Sequence, residues 1–174
     1  IRRQRQMCIR DSDKWKEYAM KFGFNSKTGI DIGEEVAGLI PDSKYYEKIY
    51  GEKWPRSIMA SLGIGQGEVS VTPLQLAQYV ALIANNGRTF TPHIVKGYLD
   101  NNTRQLVPFK FKEINMGIKQ EAFDIVKQGM FLVVNGAAGT ATWIRLKDII
   151  ISGKTGTAQN PHGKDHALFV GLSL

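Results

Sequence analysis

Gly153-Lys154-Thr155-Gly156-Thr157 sets a cation and two hydroxyls within five residues, directly after the apolar run Ile149-Ile150-Ile151. Three chemistries use such a cluster: phosphate binding, metal coordination with the nearby histidines, and acyl transfer. A phosphate-binding loop also contains Gly-Lys-Thr, but it needs a glycine five positions before Gly153, where Asp148 stands. It further needs a helix after the lysine, which Gly156 and Pro161 obstruct. For a metal, His162 and His166 are four apart with Asp165 beside them, and His93 is the one other imidazole. No helical pattern brings that pair to one face. His166 reads better as a strand-end residue and His162 as a loop hydrogen-bonder. Neither a metal nor another cofactor is assigned.

A second glycine cluster, Gly63-Ile64-Gly65-Gln66-Gly67, invites a dinucleotide reading. The pattern needs a glycine at position 68, and Glu68 would put an anion where pyrophosphate sits. The structural alternative is stronger: the glycines let the backbone turn tightly, after which Thr72-Pro73-Leu74-Gln75 opens a helix. Thr72 is the N-cap, Pro73 the first helical residue and Gln75 the reciprocal capping-box partner, a device worth about 1 kcal/mol.

The elements that must carry these clusters follow from apolar periodicity. Trp15, Tyr18, Ala19 and Phe22 form one face of a short helix that Gly23 ends. Residues 24–57, punctuated by six glycines and prolines, read as loop with short extended pieces. The helix from Pro73 to Ala84, closed by Asn85-Asn86-Gly87, is apolar on several sides and predicts burial. A second helix would bury Ala122, Ile125, Val126, Gly129, Met130 and Val133, with Glu121, Asp124, Lys127 and Gln128 opposite. Pro92–Val95 and Tyr98-Leu99 suggest short strands around the Asp100-Asn101-Asn102 turn. Gly139-Thr140-Ala141 reads as a turn into a helix. The Lys154 strand and the run from His166 to Gly171 predict an antiparallel hairpin whose second strand is interior, covered on both sides.

The 174 residues suit one domain. Net charge is +7, of which residues 1–12, with four arginines against Asp11, contribute +3. The remaining lysines are scattered among acids, which excludes a nucleic-acid face. Within residues 1–12, Met7-Cys8-Ile9-Arg10-Asp11-Ser12 reads as a translated sequencing-adapter scar or a disordered head, and the domain as residues 13–174. A lone cysteine, Cys8, excludes an internal disulfide framework. Apolar runs are too short to cross a bilayer.

Phe22-Gly23-Phe24, Thr28-Gly29-Ile30-Asp31, Gly63–Gly67, Thr72-Pro73-Leu74-Gln75-Leu76-Ala77, Gly139-Thr140-Ala141 and Gly153-Lys154-Thr155-Gly156-Thr157-Ala158-Gln159 stand in this order along the chain. The series resembles the class B penicillin-binding proteins, from Trp15 almost to the last residue. Gly65-Gln66-Gly67 is most similar to their elongation branch, penicillin-binding protein 2, and Asn160–His166 resembles its Bacteroidota forms. The resemblance implies an α/β (α+β) fold of the penicillin-binding transpeptidase and β-lactamase type. That is a mostly antiparallel sheet flanked by helices, expected here to be incomplete at both ends.

The function this implies is peptidoglycan D,D-transpeptidation through a serine acyl-enzyme, with stem peptides and β-lactams as ligands. A membrane glycosyltransferase would be a partner, and the parent protein would act in the periplasm from an inner-membrane anchor. Lys154 and Thr157 would be catalytic, the latter through its main-chain N–H, and Thr155, Gly156 and Thr157 would bind substrate. No serine is followed by lysine at the third position, nor by asparagine or aspartate at the second, so both nucleophile-side motifs of the family are missing. The chain is therefore expected to be inert and poorly soluble alone. A β-lactamase-type hydrolase or a β-lactam-sensing domain is the alternative, to be separated by sequence upstream of Asp13.

Overall fold

A computed structural model describes residues 2–55, 57–160 and 162–173, with side chains from residue 11 onward. Pro161, invoked above against a helix, lies outside the described residues, as does the side chain of Cys8.

Helix α1 spans Arg2–Lys21, so the backbone of the expected head is helical. Gly23 ends the segment at φ 89°, as the sequence predicts. The buried face departs from the expected one only at Tyr18, since Phe22 too is half-buried. Trp15 and Ala19 are half-buried, whereas Tyr18 is 55% exposed with the Lys21 ammonium 4.7 Å from its ring centroid.

The expected loop over residues 24–57 contains helix α2, Ser43–Tyr50. Asp42 caps it, accepting from the Tyr45 N–H at 2.9 Å, while Lys16 of α1 holds the other Asp42 oxygen at 2.8 Å. Burial pushes the Asp42 pKa up, but the Lys16 and Tyr45 hydrogen bonds outweigh it and the net direction is down. A further short helix, α3 (Ser57–Gly63), leads into the Gly-Gln-Gly turn. Tyr46, Trp54 and Leu62 make one core, with Trp15 and Val69 packed against it.

Helix α4, Pro73–Ala84, carries the full capping box between Thr72 and Gln75. It packs on strand β1, Arg88–Phe90. The expected strand at Pro92–Val95 does not form, because Asp31 accepts from the backbone N–H groups of Ile94 and Val95, each at 2.8 Å. Those two bonds hold the Asp31 pKa below the usual aspartate value. Tyr98-Leu99 does lie in a strand, β2 (Gly97–Leu99), paired antiparallel with β3 (Leu106–Pro108) around the Asp100 turn. Strand β4, Glu113–Asn115, pairs with β1.

Helix α5 spans Gln120–Asn135, with a buried face of Phe123, Met130 and Val134. This corrects the expected face: Ile125 is 74% exposed and Val126 43%. The helix is apolar on two sides, and the narrower stripe is the one that α4 and the sheet cover. A single 3-10 turn, Thr142–Ile144, follows Gly139-Thr140-Ala141. Strands β5 (Ile151–Ala158) and β6 (His166–Ser173) form the expected antiparallel hairpin, in register from Ile151↔Ser173 to Ala158↔His166. Val80, Ile83, Met130 and Leu172 form a second core beneath it. Here β6 is not the doubly covered strand expected, since His166 to Phe169 are exposed and only its far end packs on α4. The architecture is mixed helix and antiparallel strand, as expected, in two-stranded pieces.

Candidate active site

Strand β5 carries Lys154 to Thr157 in its middle, and its alternation decides how they can act together. Side chains at i and i+2 share a face, so Lys154 and Gly156 point one way and Thr155 and Thr157 the other. The four do not converge on a face. They converge on an edge: β5 pairs with β6 on one side, and among the described residues no strand pairs on the other. A ligand laid along that edge would meet the ammonium from one side and the hydroxyls from the other.

The two glycines of the motif are glycine for different reasons. Gly153 is buried, and a Cβ there would strike the Phe169 ring and, at 2.6 Å, the Val170 carbonyl oxygen. Gly156 is exposed, and a Cβ there would touch only the Leu168 Cβ at an ordinary 3.7 Å. Packing demands the first glycine and leaves the second unexplained within the chain. Lys154 is exposed, and its Nζ donates to the carbonyl of its own neighbour Thr155 at 2.6 Å. Thr155 Oγ1 lies 3.3 Å from Thr140 Oγ1, which joins the Gly139-Thr140-Ala141 turn to the strand. Asn135 secures the strand's start through a 2.9 Å bond to the Ile151 carbonyl. Ser152 shares the Lys154 face but is 1% exposed, too buried to meet a substrate.

Beyond Thr157 the strand end faces the Gly-Gln-Gly turn across a cleft of ≈ 540 Å³. Gly65, Gln66 and Gly67 form one wall, and Gln159, Asn160 and Asp165 the other. Glu68, read above only as an obstacle to pyrophosphate, has a positive role. It accepts the hydroxyl of fully buried Tyr46 at 2.9 Å, anchoring the turn to the first core. Burial first, then Glu68, pushes the Tyr46 pKa up.

Gln75 reaches further than a cap. Its Oε1 accepts from Thr72 N–H, and its Nε2 donates to the carbonyls of Ser26 at 2.8 Å and Ala37 at 2.9 Å. The Gly38 backbone, at φ 68°, runs so close that a Cβ would strike the Ser70 carbonyl. Sequence reasoning also missed Glu35, whose carboxylate gathers the Thr28 hydroxyl and the Thr28 and Gly29 N–H groups. The Thr28 hydroxyl is the largest of the contacts that hold its pKa below the usual glutamate value. Among the described residues no three His, Cys, Asp or Glu side chains are grouped to hold a metal ion.

Two of the motifs that sequence order alone linked to the strand, the Gly139-Thr140-Ala141 turn and the Gly-Gln-Gly turn, thus lie against it, and comparison with known proteins gives that strand a context. Residues 10–173 match the family model described as the penicillin binding protein transpeptidase domain. The chain belongs to the penicillin-binding protein transpeptidase family. Over 152 residues it is 36% identical to the peptidoglycan D,D-transpeptidase MrdA of Haemophilus influenzae, covering 84% of this chain and 23% of that protein. Among solved structures, Pseudomonas aeruginosa PBP2 in complex with WCK 5153 superposes with a TM-score of 0.69 at 35% identity, covering 89% of this chain and 34% of that one. PBP2 of Helicobacter pylori, in a complex with MreC, superposes at 0.71 with 30% identity, covering 87% and 27%. The chain spans about a quarter of the length of the curated relatives it matches.

Proposed function

We propose that the protein to which this chain belongs is a peptidoglycan D,D-transpeptidase of the elongation type, working through a serine acyl-enzyme. The observation that carries this reading is the family match across residues 10–173, which contains both the motif strand and the turn facing its end. The nucleophile attacks the penultimate D-alanine carbonyl of a stem peptide, the terminal D-alanine leaves, and an amine of a neighbouring strand takes the acyl group. Lys154 supplies positive charge beside the reacting hydroxyl. Thr155 and Thr157 offer hydroxyls to the substrate's terminal carboxylate, Gly156 admits the peptide to the strand edge, and the Thr157 N–H is an oxyanion donor. The protein acts in the periplasm from an inner-membrane anchor, beside a glycosyltransferase. No helix among the described residues is long and apolar enough to cross a membrane. Residues 1–12 we read as adapter-derived, to be checked against genomic DNA at this locus.

Incubating the complete protein with a fluorescent penicillin tests the function. A stable covalent adduct is expected. Rapid turnover of the penicillin would instead identify a hydrolase, and no reaction at all would refute both.

A further inference from the structure

Resting on the transpeptidase reading, the geometry of the cleft between the Gly-Gln-Gly turn and the end of β5 points to a site for the acyl acceptor, and we propose that Asp165 receives the acceptor's amine. The two ends of this region differ in charge. At the strand's middle, Lys154 and the hydroxyls of Thr155 and Thr157 suit an anion, such as a peptide carboxylate. Past Thr157 the lining changes to the amides of Gln66, Gln159 and Asn160, and the charged group there is the carboxylate of Asp165. Amides pair with peptide backbone, and a carboxylate pairs with an ammonium. An acceptor strand brings both.

Register puts the two ends within one substrate's reach. Ala158 pairs with His166, the residue after Asp165, so Asp165 stands two steps past the level of Thr157, roughly 7 Å at a strand's rise, and on the β6 side, roughly 5 Å across. An amine on a flexible side chain spans that distance. Asp165 holds the ammonium on arrival. Once it has lost a proton to solvent, its nitrogen forms the amide bond with the acyl carbon, the serine ester C–O bond breaks, and an amine proton passes to the serine oxygen.

Asp165 also has a structural duty, since its Oδ1 accepts from the Asn160 N–H at 3.2 Å. Asp165→Asn keeps that oxygen and removes the charge, which separates the two roles. In the complete protein, a D-alanyl thioester peptide serves as donor and a peptide with a free side-chain amine as acceptor. The quantity read is the acceptor concentration that half-saturates aminolysis over hydrolysis, with penicillin adduct counting competent enzyme. It should rise roughly fivefold in Asp165→Asn, the upper end for one exposed ion pair, and return towards wild type in Asp165→Glu. No rise in Asp165→Asn, or an equal rise in both variants, would overturn the proposal. A protein that forms no penicillin adduct would bring down the transpeptidase reading, and this one with it.

Discussion

Gln75 and Lys154 each stand at the centre of a motif, and the fold treats them oppositely. Gln75 is 1% exposed, with its amide joined to Thr72, Ser26 and Ala37, so that one side chain ties two distant loop segments to a helix start. Lys154 is exposed, and the bond its Nζ makes is to the adjacent main chain. Gly153 and Gly156 repeat the contrast three residues apart, one beneath an aromatic ring and one with room for a Cβ in ordinary contact. Polar groups and glycines whose identity the fold itself demands are architecture. Those it leaves unexplained are where a ligand is expected.

Lys154→Ala should cut penicillin acylation of the complete protein by about a hundred- to a thousandfold, on the scale of losing one transition-state donor. Its stability, measured by urea unfolding, should move by less than about 0.5 kcal/mol. A loss of stability matching the loss of acylation would erase the distinction drawn above. Gln75→Leu should do the reverse, costing about 3 kcal/mol by removing its three hydrogen bonds to the part-buried backbone of Thr72, Ser26 and Ala37, at about 1 kcal/mol each. Next comes the glycine pair. Gly153→Ala should destabilise by about 2 kcal/mol through overpacking against Phe169, whereas Gly156→Ala should leave the melting midpoint in place and slow acylation. The smallest effect belongs to Glu35, whose folded pKa is depressed below the ordinary 4.5. Its contribution is present above that value and lost as pH falls through the lower folded one. The stability gap between wild type and Glu35→Gln should therefore be full at neutral pH and close in acid below 4.5; a gap that widens there would contradict the Thr28–Gly29 clasp.

What the sequence disclosed was local. The Thr72–Gln75 box is an i to i+3 arrangement and needed nothing beyond its own four residues. The β5–β6 hairpin announced itself through two apolar runs and a loop between them. Helix α2 was hidden because Pro41 and Gly51 bracket only nine residues, eight of them helical, and Asp42 serves a loop as well as it serves a cap. The buried side of α5 was misassigned because two apolar stripes compete on one helix, and only a partner's position chooses between them. Gln66 and Gln159 lie more than ninety residues apart, and no spacing rule joins them across a cleft. Of the candidate site, the residue types were legible. Their meeting at an edge rather than a face was not.

Asp31, which occupies the two N–H groups of Ile94 and Val95, does more than cancel a strand. Ile94 is 64% exposed and Val95 44%, an apolar segment with the makings of a sticky border. By stoppering both donors with one carboxylate, the chain insulates that border against recruitment by another extended chain. Because those same bonds depress the pKa of Asp31, the stopper stays charged in acid where an ordinary aspartate would already have let go.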